Sequence, residues 1–249
     1  MIGVEKETGK NSIGKKSFID RMIKFLRLGA IKMIYKVKGG RNIYEQAIGI
    51  IALETRFPRI PGDIGNATTW DFPVVYRVVK GASPVGIVGG AETKLLESFI
   101  KAARDLEKIG VKAITTTCGF LASIQEELSN SVSVPVLTSS LMQIPLIYRM
   151  LRKEQKVGII TIDSGSLTKR HLASVGADSV PTIIVGTEGE KEITRALVGN
   201  EVSMSVKKAE ADLVAVAKRL VSRQHAEVGA IVLECANMPP SMPNLFNRK

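Results

Sequence analysis

Apolar residues fall along this chain in two alternating patterns. Short β-branched runs occur at Ala47–Leu53, Pro73–Val79, Ile114–Thr117, Val134–Thr138, Lys156–Thr161, Pro181–Val185 and Gly229–Glu234. Runs of this length and composition read as strands buried on both faces. Between them the apolar positions recur every three or four residues, which predicts helices near 91–108, 120–128, 141–152, 165–174, 189–198 and 203–223. In the 91–108 segment Leu95, Leu96, Phe99, Ala103 and Leu106 share one face, with Lys94, Glu97, Lys101, Arg104 and Lys108 opposite. Gly110 is placed to end that helix. Pro84–Gly90 reads as a strand-to-helix turn.

Strands alternating with helices imply an α/β fold with parallel sheets flanked by helices. The order strand, strand, long helix, strand-Cys occurs twice, so two pseudo-symmetric α/β domains are expected, over 46–152 and 153–249. The second is expected to be C-terminally short. Only 14 residues follow Cys235, and Pro239, Pro240 and Pro243 among them oppose a helix. After the first strand comes a Pro- and Gly-punctuated loop, Glu54–Asn66. A connection this long in an α/β domain is more often functional than idle.

Charge alters the picture only at the N-terminus. The net charge is +11, but residues 1–45 hold eleven basic residues against four acidic ones, leaving the body near balance. That distribution argues against a nucleic-acid partner. Ser17–Val37 has helical spacing with Lys and Arg between the apolar positions, ending at Gly39-Gly40. Such an extension can dock on its own domain or a partner subunit, or residues 15–38 can touch a membrane peripherally. No apolar run nears the roughly 18 residues of a membrane span. No secretory core stands at the N-terminus, and two cysteines suit a reducing compartment, so the expected location is cytoplasmic.

The candidate chemistry lies in two matched segments, Thr115-Thr-Thr-Cys118-Gly-Phe-Leu121 and Leu233-Glu-Cys235-Ala-Asn-Met-Pro-Pro240. Each ends a strand, where open α/β sheets place ligands. They hold the only two cysteines of the protein. Facing each other across one pocket, one thiolate could remove a proton from a carbon beside a carboxylate and the other thiol return one. The same pair could protonate an enediolate after decarboxylation, or add to a double bond. N–H groups at the following helix or turn are expected to lower the thiol pKa values. The developing oxyanion needs fixed donors. Thr55, Arg56, Asn66, Thr117, Gly119, Ser139 or Ser140, Thr161, Ala236 and Asn237 are placed to line the substrate site, with Arg56 or Arg59 as a bidentate carboxylate clamp.

These two segments resemble the active-site segments of the aspartate/glutamate/hydantoin racemase superfamily, over roughly residues 46–240. The resemblance implies two α/β domains with the site in the cleft between them, and Cys118 and Cys235 as acid/base residues. It implies a racemase or epimerase working without a cofactor, PLP included, on an amino acid or related small carboxylate; a homo-oligomer stays open. Decarboxylases and cis-trans isomerases of the superfamily are the alternatives, as is a binding protein that kept the fold and lost turnover. Characterised amino-acid racemases usually carry Asn-Thr or Thr-Glu/His after their cysteines, whereas Gly-Phe and Ala-Asn stand here.

Other signals point elsewhere. Pro84–Gly90 lacks the spacing of a phosphate loop. His171 and His225 do not form metal spacing with the cysteines, so no metal site is expected, and His171 is expected on a helix surface beside Lys169 and Arg170. Trp70 and Phe72 suit either the pocket wall or the core.

Overall fold

The computed structural model describes residues 39, 40, 42–222 and 227–241. The helix expected over Ser17–Val37 and His225 lie outside them. The described residues from 42 onward form one compact unit.

That unit holds two parallel sheets. Strands β1 (Ile48–Leu53), β2 (Val74–Val79), β3 (Ala113–Thr116) and β4 (Val136–Leu137) make the first, in the order β2-β1-β3-β4. Strands β5 (Lys156–Thr161), β6 (Thr182–Gly186) and β7 (Val228–Leu233) make the second, in the order β6-β5-β7. Every pairing is parallel, as the continuous apolar runs predict. The orders β2-β1-β3 and β6-β5-β7 correspond strand for strand. The chain passes from one sheet to the other between Tyr148 and Lys156.

The helices run α1 (Pro84–Val88), α2 (Leu96–Ile109), α3 (Gln125–Asn130), α4 (Ile144–Tyr148), α5 (Lys169–Ala173), α6 (Glu192–Leu197) and α7 (Val206–Leu220). The long helices α2 and α7 occupy equivalent places, and the equivalence reaches single residues. A Cβ on Gly49 of β1 would meet the Leu106 side chain of α2 at 3.0 Å, and one on Gly158 of β5 would meet Leu220 of α7 at 2.8 Å. Each central strand thus carries a glycine where a leucine of its long helix presses on the sheet. Phe99, Ala102, Ala103 and Leu106 of α2 are buried, as are Leu213, Val216 and Leu220 of α7. Gly110 adopts a left-handed conformation (φ 99°) and ends α2. Ser205 caps α7 by accepting the Lys208 N–H.

Four expectations need correction. Pro84–Gly90 is more than a turn: Ser83 caps a short helix with Pro84 in its first turn, where a missing N–H costs nothing. The helices expected near 120–128 and 141–152 each begin as a 3-10 turn, Gly119–Ile124 and Ser140–Gln143, before α3 and α4. The helix of 91–108 starts at Leu96, because residues 90–95 form turns. His171 is 6% exposed rather than on the surface. It forms a capping box with Thr168 at the start of α5 and sets its ring edge-on to Phe120, 5.2 Å between centroids.

Candidate active site

Both cysteine segments leave the C-terminal ends of their strands, β3 and β7, and meet between the two sheets. Cys118 and Cys235 line one small cavity of about 40 Å³. Thr55, Arg59, Thr117, Gly119, Glu234 and Asn237 share its wall. The rest is apolar, from Leu53, Phe57, Val88, Phe120, Ile162 and Leu197. Neither thiol is in a disulfide.

The loop after β1 is fastened over this cavity at two points, both in the second half of the chain. The Arg56 N–H donates to Asn200 Oδ1 at 2.6 Å. Asp63, 2% exposed, accepts the Asn237 side-chain amide through one carboxylate oxygen. Its other oxygen accepts from Arg59 at 2.8 Å and from the Gly65 N–H at 2.6 Å. Arg59 also donates to Thr55 Oγ1 at 3.3 Å and lies over the Phe57 ring at 4.8 Å. Asn237 in turn accepts the Cys235 thiol proton through Oδ1, at 3.4 Å. One continuous chain of polar contacts therefore runs from Arg59 through Asp63 and Asn237 to the Cys235 sulfur.

Glu234 is the third ionisable group of the cavity. It is 2% exposed. Its Oε2 accepts the Thr161 hydroxyl at 2.9 Å, while Oε1 has no protein partner. Burial pushes its carboxyl up to about 7, against the pull of the Thr161 hydroxyl and the Ile162 N–H. Glu234 packs directly on Gly119. A Cβ there would lie 2.2 Å from Glu234 Oε1 and 2.3 Å from its carbonyl oxygen. The residue after one cysteine must therefore be glycine because the residue before the other is pressed against it.

This arrangement overturns the expectation of low thiol pKa values. Burial first, and the negative charge of Glu234 second, push Cys118 up to about 12. The Phe120 and Leu121 N–H groups and the Arg59 charge pull the other way and lose. Burial and Glu234 also raise Cys235 well above the usual thiol range, against the Asn237 N–H. Without a bound ligand, both sulfurs are thiols at neutral pH.

The residues singled out in the sequence divide among several places. Thr55, Thr117, Gly119 and Asn237 stand with the two cysteines around the cavity. The Thr117 hydroxyl oxygen also accepts the Leu53 N–H at 3.2 Å, tying the Cys118 segment to β1. Ser139 and Ala236 line an adjoining cavity of about 240 Å³, which shares Gly119 and Glu234 with the first and includes Trp70. Thr161 has no exposure and reaches the site only through Glu234. Asn66 caps the Ala67–Thr69 turn and holds the Arg59 carbonyl, outside the cavity. Arg56 is exposed and contributes its backbone N–H, so Arg59 is the arginine of the cavity wall. Phe72 is exposed beside Trp70.

Asp63 and Glu234 were not foreseen. Glu234 had a visible signal, since a carboxylate closing an apolar strand next to a cysteine has no ordinary packing reason. Asp63 had none, because Pro-Gly-Asp-Ile-Gly is common turn chemistry. Among the described residues, no cluster of three or more His, Cys, Asp or Glu side chains could hold a metal ion, and no helix is long and apolar enough to cross a membrane.

No family model matches the chain. It is 29% identical over 206 residues to a dimethylsulfoniopropionate lyase of Durusdinium sp. clade D, covering 80% of this chain and 67% of that protein. It is 28% identical over 204 residues to dimethylsulfoniopropionate lyase 3 and 27% identical over 205 residues to dimethylsulfoniopropionate lyase 7, both of Emiliania huxleyi (strain CCMP1516). The chain spans 52% and 59% of the length of those two. Among solved structures it resembles an aspartate racemase homologue from Pyrococcus horikoshii OT3, with TM-score 0.48, 14% identity and coverage of 79% of this chain and 88% of that one. Unliganded arylmalonate decarboxylase gives TM-score 0.48 and 15% identity, covering 82% of this chain and 83% of that one. The sequence is thus similar to curated dimethylsulfoniopropionate lyases, and the solved structures it resembles include an aspartate racemase homologue and arylmalonate decarboxylase.

Proposed function

We propose that this chain is a cofactor-independent lyase that removes the proton beside a carboxylate and expels a leaving group from the next carbon. Dimethylsulfoniopropionate is the first substrate to test. The observation that carries the reading is the single cavity shared by Cys118, Cys235, Glu234 and Arg59. The sequence similarity to dimethylsulfoniopropionate lyases supports the substrate class.

The chemistry follows from the charges. Arg59 is the cation of the cavity wall, and its guanidinium receives the substrate carboxylate. The dimethylsulfonium end is a cation with methyl groups, suited to the Phe57, Phe120 and Ile162 surface and to the negative charge of Glu234. That cation offsets the Glu234 charge, which after burial is the second cause holding the thiols protonated, so substrate binding itself favours a thiolate. Cys118 is the base, because the Phe120 and Leu121 N–H groups and Arg59 all favour its thiolate. Its sulfur takes the proton from the carbon next to the carboxylate. The freed electron pair forms the carbon–carbon double bond, and the carbon–sulfur bond breaks with its electrons leaving on dimethyl sulfide. Acrylate remains, and the proton on Cys118 returns to solvent. Cys235, hydrogen-bonded to Asn237, stays a thiol and closes the opposite wall.

The test is release of dimethyl sulfide and acrylate by the purified protein, followed by gas chromatography. Cys118→Ser is expected to lower kcat about 10²–10⁴-fold, the usual value of a positioned base. Absence of product from the wild type, or full activity in Cys118→Ser, overturns the reading. The second reading is racemisation of a small carboxylate. It is favoured by the presence of two thiols where elimination needs one base. It predicts deuterium exchange from solvent into the alpha carbon without loss of substrate, abolished by either Cys118→Ser or Cys235→Ser.

A further inference from the structure

A separate cavity, of about 330 Å³, lies between Gly89–Glu92 of the first half and Ser166–His171 of the second. It is larger than the cysteine cavity and within the size range of small-molecule sites. Val88 lines both cavities. Two of its wall residues are deeply buried and incompletely paired. Glu92, 3% exposed, accepts the Ser123 hydroxyl at Oε1 (3.0 Å), and its Oε2 has no partner. His171, 6% exposed, accepts the Thr168 N–H at Nδ1 (3.1 Å), so its ring proton sits on Nε2, which also has no partner. An unpaired acceptor and an unpaired donor, each costly to bury alone, therefore belong to residues of one cavity wall. Arg170 supplies a cation on the same wall, with one guanidinium nitrogen 3.4 Å from Thr93 Oγ1.

We propose that this cavity is a binding site for a small amino carboxylate, whose ammonium donates to Glu92 Oε2 and whose carboxylate takes the His171 Nε2–H and the Arg170 guanidinium. The wall carries one negative and one positive charge, which suits a zwitterion better than a simple anion or cation. The buried acceptor needs an N–H, so a zwitterion whose cation lacks hydrogen-bond donors fits poorly. The ligand would bridge the two halves of the chain. It would also rest on His171, whose ring packs against Phe120, two residues from Cys118.

Isothermal titration calorimetry of the full chain with glycine and L-alanine tests this, with trimethylglycine as the donor-free zwitterion. The expected result is saturable binding of the two amino acids and none of trimethylglycine. Glu92→Gln and the surface variant Arg170→Ala are each expected to weaken binding at least about tenfold. Circular dichroism checks that both fold, and Arg170→Ala decides the matter if Glu92→Gln does not. Binding is expected to survive in the Cys118→Ser, Cys235→Ser double variant, whatever that variant does to turnover. Three results would overturn the proposal: no saturable binding at concentrations on the order of 10 mM, equal binding of trimethylglycine, or binding lost in the double cysteine variant and kept in Arg170→Ala.

Discussion

Glu234 sets the electrical state of the cysteine cavity. A carboxylate sealed from water, with one oxygen unpartnered, favours its neutral form, and the value of about 7 follows from that. When it does ionise, both thiols feel the charge. The three groups therefore titrate as a unit, and a base drawn from them works better as the pH rises. Glu234→Gln removes the charge while keeping the shape and an acceptor for Thr161. The rising limb of the kcat/KM profile for dimethyl sulfide release is expected to move to lower pH in this variant; an unmoved limb would show that the carboxylate does not control the thiols. Gly119 tests the packing side of the same contact. A methyl group there meets the Glu234 carbonyl, which belongs to the backbone and cannot swing away. Gly119→Ala is expected to cost about 2 kcal/mol, within the usual overpacking range, and chemical denaturation measures it.

At the scale of elements, the strands were legible and the helix starts were not. The central strands of each half, Ile48–Leu53 and Lys156–Thr161, fall on the apolar runs because they are buried on both faces and little else has that composition. The segments after Cys118 and Ser139 share the apolar spacing of helices, yet their first turns close in 3-10 geometry, the second with the Ser139 hydroxyl accepting the Leu141 N–H. Periodicity counts apolar positions and does not see such local hydrogen bonding. The cysteines were legible as a pair because their strands repeat, whereas their raised pKa values depend on Glu234 and burial, which no spacing encodes. The Glu54–Asn66 loop shows the same limit. Its punctuation marked it as a loop, but its two attachments, at Asn200 and Asn237, lie more than 130 residues away along the chain. Asp63→Ala would leave Arg59, with 14% of its side chain exposed, without its carboxylate. It is expected to destabilise the protein by about 3 kcal/mol, as broken buried ion pairs do. It should also raise KM for a carboxylate substrate, since Arg59 is then no longer held in place. A stability change with KM intact would make the latch purely structural.

For the whole molecule, the two sheets converge on three ionisable groups that all prefer to stay protonated, and stability must carry the consequence. Glu234 has an ordinary carboxyl value of 4.5 in the unfolded chain and about 7 in the folded one. Between these values the folded state binds more protons than the unfolded state, so stability falls as pH rises through this window. The full penalty is about 3 kcal/mol, from 1.36 kcal/mol per unit. It is absent below pH 4.5 and complete above pH 7. The Cys118 thiol adds a second loss of the same sign that begins above its ordinary value of 9.0 and continues toward 12. Acidic groups held by hydrogen bonds, such as Glu107 and Glu192, have lowered values and act in the opposite direction, but only as pH falls below the usual carboxylate range, whereas burial holds His171 below its usual 6.5 and so adds stability as pH rises toward that value. The denaturation midpoint of the wild type is therefore expected to fall relative to that of the Glu234→Gln variant from pH 5 to pH 7.5, and the variant to be the more stable protein at pH 8. A constant difference between the two proteins across this window would mean that water reaches the carboxylate, and the cavity between the sheets would then be wetter than its apolar walls imply.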